Sequence, residues 1–244
     1  MKRRQGILCF DVLRIPLIDD LTDNQIPRGS NILVEFDPTS QWYNACLTIA
    51  AGWMKMNGTV YYHAYSQSPE KIRLKLQRLG LEVEVLENQD KLRIYDWYTS
   101  QLGQKSKEKF AVPSMKIADL SLWLVKEWMP NPPKSEVLEI SENTSAVARF
   151  NDEKAWVEYV LTRVLPTASM LKTVDLRGAM KGVHSDWVYR QLEGAHDGVI
   201  DFRVEEESEQ SRNFVCVKIL RDVSFDGQRR ELRILESMEV TLEK

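Results

Sequence analysis

Hydrophobic and polar positions follow two periods along the chain, and they alternate in blocks. Asn31-Ile-Leu-Val-Glu-Phe36 is a short apolar run entered from the turn-forming Pro27-Arg-Gly-Ser30, which predicts a buried strand. After Asp37-Pro38-Thr39-Ser40, the residues Ala45, Leu47, Ile49, Ala50, Trp53 and Met54 predict a helix over 42–56 that is buried on much of its surface. Asn57-Gly58 ends it, because both residues tolerate a left-handed backbone. Thr59-Val-Tyr-Tyr-His-Ala64 is rich in β-branched and aromatic residues and predicts the next strand. Ser68-Pro69 opens a helix, with Ser68 as N-cap and Pro69 in the first turn, and Gly80 stops it. Residues 81–86 and 92–95 are read as two further strands.

Beyond them lies a polar, Lys-rich stretch over 100–113, read as a surface excursion. A helix over 117–128 is stopped by Pro130-Asn-Pro-Pro133. Residues 137–140 predict a central strand, 151–165 a helix striped by Trp156, Tyr159, Val160 and Val164, and 172–176 another strand. From residue 198 onward the pattern changes to strands with polar connectors, over 198–204, 213–220 and 231–235, with Glu205-Glu-Glu207 at a solvated hairpin tip. Strands alternating with helices predict an α/β fold. Its central sheet is mostly parallel and flanked by helices, and an antiparallel C-terminal meander is appended. No linker divides the chain, so 1–244 is read as one domain.

Composition narrows the function classes. The 244 residues are 43% hydrophobic and 28% charged, with a net charge of −3, so no basic footprint for nucleic acid shows at the whole-chain level. No uninterrupted apolar run of about 18 residues predicts a membrane span, and the basic start carries no signal-peptide core. Cys9, Cys46 and Cys216 form no paired spacing and are read as buried thiols of a reducing, cytoplasmic protein. His63, His184 and His196 are too scattered for a zinc site. His184-Ser185-Asp186 reads as a turn and N-cap before a helix rather than a catalytic triad.

The order of several short segments resembles the KaiC-like ATPase domain of the RecA superfamily over residues 6–242. Gly6-Ile7 with Phe10-Asp11, then Ile26-Pro27-Arg28-Gly29-Ser30, stand where the family has Thr-Gly-x-x-x-Leu-Asp and Gly-Gly-Ile-Pro-x-Gly. Leu192-Glu193, Asp197-Gly198-Val199-Ile200 and Val217-Lys218 match its closing segments. The resemblance implies a RecA-like core whose active members bind ATP between subunits of a ring or filament, and it makes an archaeal source plausible.

The chemistry implied by that resemblance is missing at each position. A phosphate loop reads Gly-x-x-x-x-Gly-Lys-Ser/Thr, so that backbone N–H groups wrap the phosphates, Lys meets them and the hydroxyl holds magnesium. Here Phe36 stands at the first Gly, Thr39 and Gln41 at later glycines, Trp42 at the Lys and Tyr43 at the hydroxyl, with Asp37, Pro38 and Ser40 between. The two water-activating carboxylates of the family are replaced by Ala64-Tyr65-Ser66-Gln67-Ser68. Glu142, in Ile140-Ser141-Glu142-Asn143-Thr144, is the residual acid at the magnesium-holding strand end. The inter-subunit Lys-x-Arg becomes Lys218-Ile219-Leu220-Arg221, with the Arg displaced by one residue.

The expectation is therefore a non-catalytic paralogue with no cofactor, working through protein contact as a homo-oligomer or with a RecA- or KaiC-like partner. Trp42, Tyr43, Tyr65, Trp97 and Tyr98 fall at or just past strand ends, where they would fill the old cleft or dock a partner. Two alternatives remain open. One is an ATPase using Mg-ATP through an unorthodox site at Glu142 and Lys218. The other is a single-strand nucleic-acid binder using aromatics with Lys105, Lys107 and Lys109 and the basic residues Lys2, Arg3 and Arg4.

Overall fold

The structure is a computed structural model that describes residues 12–13, 15–22, 26–128, 136–207, 210–221 and 225–243. The motif at 6–11 with Cys9, the basic residues at 2–4 and the proline stop at 130–133 lie outside the described residues. In chain order the strands are β1 (Val12–Leu13), β2 (Ile26–Pro27), β3 (Asn31–Phe36), β4 (Thr59–Ala64), β5 (Leu92–Asp96), β6 (Phe110–Ala111), β7 (Val137–Ser141), β8 (Val174–Met180), β9 (Gly198–Glu207), β10 (Gln210–Leu220), β11 (Arg230–Ile234) and β12 (Val240–Leu242). The helices are α1 (Asp19–Thr22), α2 (Trp42–Lys55), α3 (Pro69–Arg78), α4 (Val83–Asn88), α5 (Tyr98–Gln101), α6 (Ile117–Trp123), α7 (Ser145–Ala148), α8 (Glu153–Tyr159), α9 (Leu165–Leu171) and α10 (Asp186–Ala195).

Ten strands form one sheet in the order β12-β11-β10-β9-β3-β8-β7-β4-β5-β6. From β9 to β6 all neighbours are parallel, and from β9 to β12 they are antiparallel. The expected α/β architecture with a C-terminal meander is thus observed, and β7 is central as read. Local signals also hold. Ser68 accepts a hydrogen bond from the Lys71 N–H at 3.5 Å, and Pro69 sits in the first turn of α3. Asn57 takes φ 69° beyond α2, where an amide side chain tolerates the left-handed region.

Four readings are corrected. Residues 81–86, read as a strand, enter the helix α4; only Val83 is buried there, and the segment crosses over between β4 and β5 instead of pairing in the sheet. The Lys-rich excursion contains the short edge strand β6. The helix read over 151–165 runs on to Leu171 through a π-helical segment, Val160–Val164. Pro166 explains the widened turn, since proline lacks an N–H and its ring crowds the carbonyl four residues back. A second π-helical segment, Leu124–Trp128, continues α6. Ser185 precedes α10 as read, but its side chain makes no cap; the hydroxyl donates to Glu153 Oε2 at 2.7 Å instead.

The sheet separates two cores. On one face α2 and α3 pack on Ile32, Val34, Phe36, Val60, Leu138 and Ile140. On the other, helices from α6 to α10 cover Leu33, Tyr61, Tyr95, Val137 and Ala179. That second face also carries buried ionisable residues on the central strands: Glu139 on β7 and Asp175 and Arg177 on β8. Parallel central strands are expected to be apolar on both faces, so this row stands out.

Candidate functional site

The resemblance implies a site where β3 leads into α2. The chain turns there without any positive φ between residues 36 and 43, whereas a phosphate loop uses glycines to reach such angles. Ser40 N–H donates to the Asp37 carbonyl at 2.9 Å, closing an ordinary turn. Asp37 anchors that turn: its carboxylate accepts from Val204 N–H at 2.8 Å and pairs with Lys181 at 2.9 Å. Pro38 and Thr39 are exposed, Ser40 is buried, and Gln41 accepts from the Asn44 side chain at 2.8 Å.

Trp42 is the residue that the resemblance sets at the phosphate-binding lysine. It is fully buried, lies 5.2 Å from Phe202 and 6.3 Å from Phe36 between ring centroids, and donates from Nε1 to the Glu142 carbonyl at 2.7 Å. Gly178 on β8 makes room for it. A Cβ at that position would stand 2.2 Å from the Glu142 carbonyl oxygen and 2.7 Å from Trp42 Nε1, closer than real Cβ atoms come. Tyr43 packs edge-on against Phe36, and its hydroxyl meets Ser66 Oγ and Asn143 Nδ2, each at 3.1 Å.

Glu142, which the resemblance names as the residual acid, has its carboxylate fully enclosed. Oε2 accepts from the Tyr62 hydroxyl at 2.8 Å, while Oε1 accepts from Tyr65 N–H at 2.8 Å and Ser66 N–H at 2.5 Å. The segment after β4 therefore spends two backbone donors on Glu142. Burial pushes the Glu142 carboxyl above its usual range, and these hydrogen bonds offset part of the rise. These residues do not fit a magnesium nucleotide. The cation nearest the turn, Lys181, is held by Asp37 and Asp201, an indole fills the space at the helix start, and the acid has no face toward solvent.

The basic residues read as inter-subunit contacts are engaged within the chain. Lys218 on β10 bonds Glu35 at 2.7 Å and Glu193 at 2.5 Å. Arg221 lies beyond the end of β10, and its guanidinium caps the end of α10 by donating to the carbonyls of His196, Glu193 and Gly194. Of the five docking aromatics, Trp42, Tyr65 and Trp97 are buried and belong to the cores, because the strand ends they follow are roofed by helices. Tyr43 and Tyr98 are half-buried. Tyr65 and Trp97 stack at 4.7 Å on the face opposite Trp42, so the five do not form one patch. The three histidines lie on different elements. His63 on β4 accepts from Trp97 Nε1 at 2.8 Å and places Nε2 2.9 Å from Glu139.

Sequence reasoning missed Tyr62 and Gly178, which hold and admit the enclosed Glu142 and Trp42. It also missed Glu139, Asp175 and Arg177. A signal for those was present in the charges at alternate positions of Val137-Leu-Glu-Ile-Ser141 and Val174-Asp-Leu-Arg-Gly178.

The chain matches no family model, and no curated protein matches it in sequence. Solved structures do match. A KaiC-like protein from the hyperthermophilic archaeon Pyrococcus horikoshii is 13% identical, with a TM-score of 0.69 over 96% of this chain and 100% of that one. An uncharacterized protein from the same organism, in complex with an unknown peptide, is 17% identical, with a TM-score of 0.71 over 94% of this chain and 97% of that one. The flagellar accessory protein FlaH from Methanocaldococcus jannaschii is 13% identical, with a TM-score of 0.69 over 95% and 97%. The resemblance read from short motifs thus holds for the fold: this chain has the α/β fold of KaiC-like proteins.

Proposed function

We propose that this chain is a non-catalytic relative of KaiC-like ATPases, acting through protein contact or oligomeric assembly, with no nucleotide cofactor. The observation that carries the reading is the fully buried Trp42, bonded to the backbone of Glu142 where a phosphate-binding lysine would stand. Phosphoryl transfer rests on positioning and charge stabilisation, and the groups that would supply both are absent together. An ATPase centred on Glu142 and Lys218 is disfavoured because the first is enclosed and the second is held by Glu35 and Glu193. A protein partner is the favoured class, in keeping with the peptide held by the uncharacterized Pyrococcus protein. A cytoplasmic setting goes with this reading, in keeping with the free thiols of Cys46 and Cys216.

Thermal unfolding with and without excess Mg-ATP tests it, with mass by light scattering in the same samples. A ligand at 100 times its dissociation constant adds about 2.7 kcal/mol, or roughly 5–10 °C at this size. The expected result is no shift, with a defined oligomer or a complex recovered with a RecA-fold partner. A shift of that size overturns the reading.

A further inference from the structure

A cavity of about 60 Å³ lies on the sheet face opposite Trp42, between the central strands and the helices from α6 to α9. Its lining joins two features that rarely meet. Six rings surround it, those of His63, Tyr65, Trp97, Trp123, Trp156 and Tyr159. Glu139, Ser141 and Arg177, from neighbouring strands, also line it. Both π-helical segments reach it, through Leu124 and through Val160 and Val164. Such widened turns recur at functional sites, because they re-aim side chains at the expense of regular hydrogen bonding.

Arg177 is the informative group. It is 5% exposed, its Nη2 bonds Asp175, and its Nε makes no hydrogen bond. A buried guanidinium donor without an acceptor is costly, and a guanidinium has donors only, so whatever satisfies it must offer an acceptor. Glu139 places Oε1 2.9 Å from His63 Nε2 and also stands within electrostatic reach of Arg177, without bonding its Nε. The enclosed space is a few waters in size, which suits a carboxylate but not a whole ring. The rings around it suit a flat apolar body in the mouth, beside half-buried Trp123 and Thr167.

We infer that this cavity is a binding site for a small aromatic carboxylic acid, whose carboxylate meets Arg177 and whose ring lies among Trp97, Trp123 and Tyr159. Carboxylate and guanidinium match in shape and charge, and the surrounding hydrocarbon strengthens the pair by excluding water. The site is separate from the proposed contact role, since it lies on the other face of the sheet and uses none of the residues around Trp42.

The test uses benzoate and phenylacetate as probes, with benzyl alcohol as a neutral counterpart of similar size. Tryptophan emission and thermal unfolding are followed on the full chain up to about 10 mM ligand, a range that reaches millimolar affinities. The expected result is a saturable change with the two acids, at least about tenfold weaker with benzyl alcohol. Thr167→Trp, which fills the mouth and touches none of the charges, removes the response while circular dichroism stays native. The paired change Asp175→Leu with Arg177→Met also removes it; should that protein fail to fold, Thr167→Trp still decides. No saturable response, equal binding of the alcohol, or a response that survives Thr167→Trp overturns the inference.

Discussion

Two buried polar clusters, one on each face of the central sheet, are satisfied to different degrees. On the α2 face one carboxylate, Glu142, lies among aliphatic and aromatic side chains and has three donors aimed at it. On the other face Glu139, Asp175 and Arg177 share fewer partners, and Asp175 Oδ1 and Arg177 Nε make no hydrogen bond. A saturated buried acid binds its surroundings together, because removing it strands every donor. An incompletely saturated cluster contributes little to stability. The Glu142 site on the α2 face is thus closed, and the opposite face holds a largely aromatic cavity edged by Glu139 and Arg177.

The largest effect that would break this contrast is expected at Trp42. Trp42→Ala leaves a hole among Phe36, Phe202 and Gly178 and should cost about 3–5 kcal/mol in urea unfolding. A cost below about 1 kcal/mol would mean that the indole is not a plug but a loosely held side chain. Next in size, Glu142→Ala strands the Tyr62 hydroxyl and the N–H groups of Tyr65 and Ser66, and should cost about 2–4 kcal/mol by the same measurement.

On the opposite face the paired change Asp175→Leu with Arg177→Met should leave stability unchanged or raise it by about 1–2 kcal/mol, since hydrophobic replacement of a buried ion pair is often neutral or stabilising. Burial pushes the Asp175 carboxyl up to about 7. Its folded value therefore lies above its unfolded one, so its favourable contribution is complete below about pH 4 and is lost as pH rises toward about 7. The benefit of the paired change should accordingly grow between those limits in thermal melts.

The smallest effect is expected for Glu142→Gln, which can accept from both N–H groups and donate to Tyr62. Because the Glu142 carboxyl is raised in the folded state, its stabilising contribution falls as pH rises. The glutamine protein should gain on the wild type in melts as pH rises above the ordinary carboxylate range. A difference that shrinks with rising pH would reverse the assigned electrostatics.

Much of this was legible in the residues. Periodicity, Ser68-Pro69, Asn57 and Gly80 placed the strands β3, β4, β7 and β9 and the helices α2 and α3, because backbone preferences and alternation act locally. Residues 81–86 misled because Leu-Glu-Val-Glu-Val-Leu alternates like a strand, while one buried Val83 and the crossover to β5 made it a helix.

The tertiary structure alone decided what the remaining groups do. Glu142 reads as a metal ligand in sequence, yet donors 76 to 80 residues away enclose it. Lys218 reads as an inter-subunit finger, yet Glu35 lies 183 residues upstream and holds it. The reason is common to both: a sequence states which charges and donors a chain carries, but their solvation and pairing depend on which distant strands the sheet sets side by side.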